Sequence, residues 1–351
     1  MDRQPAIGGV LLHRYHRQNR RRAVLVAAMA LIAALGVVLD LMTGPAGLPL
    51  SETLRALTGG EVARGTAVIV WQVRLPVAVL ALLVGAALAL SGAEMQTVLE
   101  NPLAEPFTLG VSAAAALGAA TAIVLGLTLP WLPAQWSISA NAFLFALGAL
   151  ALLQLLGRLR GGGPEVLILF GIALNFAAGA FLSILQFVAS ADALQQLVFW
   201  TMGSLASATW QGVAALALVL AACIPFSLRA AWQLTALRMG EDQARSFGVD
   251  VDALRRWTLL RVSLLAATAV SLVGVIGFVG LAGPHIARML VGEDHRFFLP
   301  ASILTGALVM SLASTLSKMV VPGVLLPVGL VTSLIGLPVF FWLILRGRAR
   351  R

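Results

Sequence analysis

The chain has 351 residues, 60% of them hydrophobic and 11% charged, with a mean hydropathy of +0.95. Water-soluble domains carry about 25% charged residues, so this composition excludes one and indicates an integral membrane protein. The formal net charge of +9 comes largely from Arg3, Arg14, Arg17, Arg20, Arg21 and Arg22 near the start and Arg346, Arg348, Arg350 and Arg351 at the end. Arginines flanking apolar runs mark the cytoplasmic side of a membrane and call for no nucleic-acid partner.

Residues 1–22 read as a basic cytoplasmic tail. The apolar run 23–42 after Arg20, Arg21 and Arg22 has the polarity of a signal peptide. Its length, ~20 residues, is that of a span, so it reads as an uncleaved first helix. Further apolar segments at 76–93, 109–128, 140–157, 164–188, 210–228, 259–281, 299–317 and 324–345 bring the total to nine. Basic termini on one side require an even number of crossings. The short apolar piece 284–292, preceded by Gly277, Gly280 and Gly283 as turning points, supplies the tenth. The expectation is an all-α protein of about ten transmembrane helices. Residues 23–345 then form one membrane domain, 229–258 a cytoplasmic loop and 346–351 a second basic tail.

Charge placement follows this alternation. Arg158, Arg160, the arginines of 229–261, Arg288 and Arg296 fall inside, while 131–139 and 189–197 hold no basic residue. The loop around Glu94, Glu100 and Glu105 is expected inside although it carries only acids. Outside, 43–74 holds Arg55, Arg64 and Arg74, offset by Glu52 and Glu61.

Little in this chain can do chemistry. Lys318, the only lysine, precedes Met319, so no Gly-rich phosphate loop is present and any use of ATP requires a partner. Asp40, Glu94, Glu165 and Asp192 stand at span ends, which weighs against proton or sodium coupling. His13, His16, His285 and His295 lack metal-ligand spacing, the two former lying in the basic tail, which is expected to be mobile; no metal and no catalytic residue are expected. His285 sits at a short-helix start, where capping or packing suits it. Cys223 is the only cysteine, so no internal disulfide can form.

Two segments stand out. Residues 274–296, GVIGFVGLAGPHIARMLVGEDHR, meet a proline, a histidine and two arginines before crossing ~30 Å of hydrocarbon, which makes a broken membrane helix. Such breaks belong to transporters and channels. Residues 237–256 read as two short helices hinged at Gly248, with Glu241 and Asp242 in the first turn after Gly240 and Arg255 and Arg256 ending the second. A stand-alone secondary transporter or channel for a small solute is the alternative to an ATP-driven system.

Several motifs in fixed order resemble the FecCD permease family, the membrane subunits of ATP-driven importers for iron-siderophores, haem and cobalamin. They are Trp71-Gln-Val-Arg-Leu-Pro, Ser91-Gly92 with Gln96, Asn101-Pro-Leu-Ala-Glu-Pro, Leu109-Gly-Val-Ser, Gly171-Ile-Ala-Leu-Asn175, Trp200-Thr-Met-Gly-Ser204, 240–249, 277–296, Leu326-Pro-Val-Gly and Leu334-Ile-Gly-Leu-Pro338. The resemblance covers nearly the whole chain after Trp71. It implies a cobalamin-importer-like permease in a bacterial inner membrane, multi-pass with both termini cytoplasmic, working as a homodimer among membrane lipid. Two cytoplasmic ATPases would hold the ATP and Mg, a periplasmic binding protein would deliver cargo, and this chain would bind no cofactor.

The same resemblance implies roles for particular residues. Gly240, Glu241, Asp242, Ala244 and Gly248 would couple to the ATPase, and Arg74 and Lys318 would pair with glutamates of the binding protein. Val77 stands where the family motif has a second arginine, and Lys318 where arginine is more usual. The pathway at the dimer axis would be lined from the fifth span, 164–187, with Asn175 and Gln186 as its polar residues. The inner gate would fall in 158–164, with Gly161, Gly162 and Gly163.

Overall fold

In a computed structural model, residues 7–44, 47–130, 132–159, 163–321 and 323–348 are described, and among them every regular element is helical. Helix α1, Ile7–Met42, runs unbroken for 36 residues, about 54 Å at 1.5 Å per residue. Its arginine-rich first half therefore extends the apolar span as helix where the sequence offers only a mobile basic tail. A short α2, Leu50–Leu57, precedes α3, Arg64–Val68, which continues through a wide π turn, Ile69–Arg74, into α4, Leu75–Val98. Pro76 has no N–H to give to residue 72, and the wider turn accommodates that loss.

Helix α5, Val111–Leu125, has only 15 residues and lies between Gly110 and Gly126, both at positive φ. At 15 residues, about 22 Å, it falls short of the hydrocarbon core, and the connection 99–110 before it packs against α7 and the start of α13. Helices α6, Ser137–Leu159, and α7, Pro164–Val188, are full spans. The base-free stretch 189–197 proves to begin a further helix, α8, Ala191–Thr201, capped by the Ser190 hydroxyl. Then follow α9, Trp210–Arg229, and the short α10, Ala231–Leu237, and α11, Glu241–Ser246. The bundle closes with α12, Val251–Val273, α13, Val279–Val291, α14, His295–Met319, and α15, Val328–Arg348. Among the described residues seven helices are long and apolar enough to span, and three shorter apolar ones, in α5, α13 and α15, complete the expected ten.

Three details of the sequence reading are corrected. The expected span 259–281 is two pieces: α12 starts at Val251 and stops at Val273, and α13 begins at Val279. The stop has a tertiary cause, since the Ser204 N–H donates to the Val273 carbonyl at 2.7 Å and the Trp200 carbonyl abuts Gly274. Gly280 and Gly283 lie within α13 and are not turning points before it, and Pro284 and His285 stand mid-helix and do not start it. Arg255 and Arg256 do not end a short helix, because α12 continues through them into the membrane.

Packing explains the glycines. A Cβ on Gly85 of α4 would overlap the Gly306 carbonyl of α14, and one on Gly92 would overlap the Gly280 carbonyl of α13. These contacts bring backbones together as small residues do in lipid, where dispersion replaces hydrophobic drive. Pro284 leaves the Gly280 carbonyl without its helical donor, and the Gln96 side-chain amide of α4 takes it at 3.4 Å. Helices α4, α12 and α14 are the most buried of the long spans, and a smaller alanine-rich core joins α5, α6 and α12.

Candidate functional site

At the end of the bundle near the basic half of α1, helices α10 and α11 form a knob. Gly240 adopts φ 112° to start α11, and Gly248, at φ 81°, lets the chain turn back after it. Ala244 and Val251 are fully buried and anchor the knob, whereas Asp242, Gln243, Met239 and Phe247 face outward, the last two 53% and 56% exposed. Glu241 is its electrostatic centre. Its carboxylate accepts from Arg245 at 2.8 Å and from Arg255 at 3.1 Å. These hydrogen bonds, that of Arg245 foremost, hold its pKa below the ordinary carboxylate value. Arg255 in turn donates to the Val98 carbonyl at the end of α4, at 3.2 Å.

The knob is also fastened to the α13–α14 turn. Arg238 grips Glu293 with two bonds of 2.6 and 3.2 Å. Buried His295 lies 2.9 Å from the Thr97 hydroxyl of α4 and 3.2 Å from the Thr235 hydroxyl of α10. Polar contacts of named side chains thus tie α10 and α11 to α4, α12 and α14. Sequence reasoning missed Arg238, Thr235 and His295 here, because residues 55 and 60 positions apart meet only in the fold.

Deeper, two acids of the supposed inner loop are structural. Glu94 is a fully buried residue of α4 and bonds Arg261 of α12 at 2.7 Å. Glu105, 5% exposed, accepts the Phe278 N–H at 3.4 Å and a further bond from the Leu281 backbone. It caps α13 from a distant loop, and so holds Phe278 at φ 67°, a conformation that side chains other than glycine seldom adopt. Charges inside apolar windows were the available signal.

The same loop meets α7. Gly110, at φ 80°, lies against the Asn175 backbone, and Gly171 against Leu109, so the Leu109 and Gly171 motifs are brought together. The Asn175 side chain is exposed and Gln186 half-buried on this helix. Only 17% of the most apolar stretch of α7 is buried, the least among the seven long spans, and Phe176, Phe181 and Phe187 stand 73%, 61% and 91% exposed. Of the expected gate, Gly161 and Gly162 lie outside the described residues, and Gly163 precedes α7 in an extended conformation open to any residue.

At the opposite end, Arg74 and Lys318 line one cavity of about 210 Å³ with Thr43, Ser204, Ser314 and Leu326. Neither is a free surface charge. Lys318 pairs at 2.8 Å with the wholly buried Asp40 of α1, and Arg74 donates to the Leu41 carbonyl at 3.0 Å. Arg74 Nη2 and Asp40 Oδ2 have no hydrogen-bond partner among the described residues. Those residues gather no group of three His, Cys, Asp or Glu side chains fit to hold a metal.

The sequence profile of the FecCD transport family matches residues 31–346. The hemin transport system permease protein HmuU of Yersinia pestis is 42% identical over 284 residues, 80% of this chain and 85% of that protein. The vitamin B12 import system permease protein BtuC of Citrobacter koseri is 36% identical over 337 residues, 95% of this chain and 97% of its own length. Among solved structures, an inward-facing ABC transporter described as metal-chelate type superposes with a TM-score of 0.81 at 31% identity, covering 92% of this chain and 99% of that one.

Proposed function

The chain belongs to the FecCD transport family, and from that premise we propose that it is the permease subunit of an ATP-binding-cassette importer for a metal chelate: haem, an iron-siderophore or cobalamin. The relatives' names support the cargo class, since hemin and vitamin B12 are both metal-centred macrocycles. Two copies pair along α7, whose apolar face and Asn175 are left uncovered in one protomer. The knob end, with the arginines of α1, faces the cytoplasm. A separate ATPase on each protomer binds ATP and Mg, and the cavity end receives an acidic periplasmic binding protein at Arg74 and Lys318, which must loosen from Leu41 and Asp40 to meet it.

The observation that carries this reading is the knob: an exposed surface around Asp242, Met239 and Phe247 that is tied through Glu241, Arg255 and the Val98 carbonyl to a membrane helix. ATP-driven closure of the motors pushes the knob, and its polar ties carry the movement to α4, α12 and α14, which alternates access to the central cavity. Reversing both Glu241 and Asp242 to lysine is expected to uncouple uptake from ATP hydrolysis with membrane insertion retained. Vesicle uptake and ATPase rate measured together test this, and fully coupled uptake in the double variant would remove the knob from the mechanism.

A further inference from the structure

A cavity of about 620 Å³ opens between α9 and α12 beside the start of α10. Residues at three- and four-residue spacing wall it from each side, one stripe per helix. From Asp250 to Leu264 the α12 wall extends roughly 21 Å, enough for a headgroup zone and about one leaflet of hydrocarbon. Its polarity is graded along that length. Arg229, Gln233 and Asp250 stand at the knob end, whereas Cys223, Phe226, Leu260 and Leu264 line the remainder. Trp257, 62% exposed, flanks the groove as tryptophans do at a membrane interface.

The two charges at the mouth lack protein counterions. Among the described residues Arg229 has no ion pair and contacts only the Phe226 ring, 5.6 Å from its guanidinium carbon. Asp250 accepts the Ala253 N–H at 2.9 Å as the N-cap of α12 and meets no cation. The remaining groove arginine, Arg261, is spent on Glu94. The mouth therefore presents one cation and one anion above an apolar trough.

We propose that this groove binds a phospholipid whose headgroup carries both a phosphate and a primary ammonium, that of phosphatidylethanolamine. Arg229 and Gln233 donate to the phosphate, the ammonium donates to Asp250, and the acyl chains lie on Phe226, Leu260 and Leu264. A purely anionic headgroup leaves Asp250 facing like charge, and a choline has no N–H to give. This assignment rests on the groove's chemistry and is independent of the cargo.

Native mass spectrometry of the whole transporter, purified in detergent with equal amounts of phosphatidylethanolamine, phosphatidylglycerol and phosphatidylcholine, tests the proposal. The wild type should retain the ethanolamine lipid about fivefold over either competitor, the effect of roughly one exposed ion pair. Asp250→Asn keeps the helix cap, since Asn caps as well as Asp, and should bring ethanolamine lipid down to the choline level. Arg229→Gln should lower retention of all three. Cys223, in the groove wall and the only cysteine of the chain, gives a second readout: ethanolamine lipid should slow its alkylation by N-ethylmaleimide and the choline lipid should not. Equal retention of the three lipids, retention of phosphatidylglycerol above the ethanolamine lipid, or an unaltered preference in Asp250→Asn would overturn the assignment.

Discussion

Glu94 and Arg261 illustrate how a charge survives at membrane depth: each is the other's partner, at 2.7 Å, and Arg261 donates a further bond to the Thr258 hydroxyl at 3.0 Å. Removing one partner leaves a buried charge unmatched, so Arg261→Met is expected to cost about 3–5 kcal/mol. The double variant Glu94→Leu with Arg261→Met should recover most of that loss, as read by thermal unfolding in detergent; equal losses in single and double would mean the pair is not what holds α4 to α12. Glu241 allows a pH test outside the membrane. Its folded pKa is depressed, so its contribution is complete above the ordinary carboxylate value of 4.5 and is lost only as pH falls through the lower folded value. Hydrogen exchange of α11 should accordingly be equally protected at neutral pH and at pH about 5.5. Protection already lost at that mildly acidic pH would contradict the arrangement around Arg245.

At the scale of elements, the break between α12 and α13 depends on groups far away in sequence. Glu105 supplies the cap that α13 lacks locally, so Glu105→Ala should loosen its first turn by about 1–2 kcal/mol, while Glu105→Gln keeps an acceptor and should lose less. Exchange of the amides at 278–282 measures this directly, and indistinguishable exchange in wild type and Glu105→Ala would dismiss the cap. The motif pattern marked this region as functional, but neither the stop at Val273 nor the cap was legible. The first depends on the crossing chain at 200–204 and the second on a loop 173 residues distant. By contrast α7 and α14 lie close to their expected bounds, because a continuous apolar run of span length leaves the backbone no other way to satisfy its polar groups in lipid.

Across the whole molecule, the least buried span and the buried charges at the cavity end make separate predictions. If α7 forms the seam between two copies, Phe187→Cys in a Cys223→Ala background should crosslink protomers in membranes, and a cysteine replacing the exposed Leu218 on α9 should not. Crosslinking at Leu218 alone would move the seam. At the cavity end, Lys318→Glu would face Asp40 at close range and unsettle the fold as well as any docking. The cleaner variant replaces Asp40 and Lys318 together with Leu and Met; it should lower binding-protein affinity while unfolding near the wild-type temperature. Unchanged affinity and unchanged salt dependence in that double variant would take Lys318 out of docking.

By itself, the sequence determined the membrane class, the ten apolar helices, the family motifs and the interrupted character of 274–296, though not where the break falls, since each follows from run length, composition or local spacing. The tertiary structure alone decided the state of the charges. Arg74 and Lys318, docking groups by resemblance, are held against Leu41 and Asp40, and Glu94 and Glu105, loop acids by position, are an ion-pair partner and a helix cap. The reason is physical: hydrophobic periodicity is a property of neighbours along the chain, but a buried charge is fixed by whichever distant group can offset its desolvation, and that partner exists only after the helices have packed.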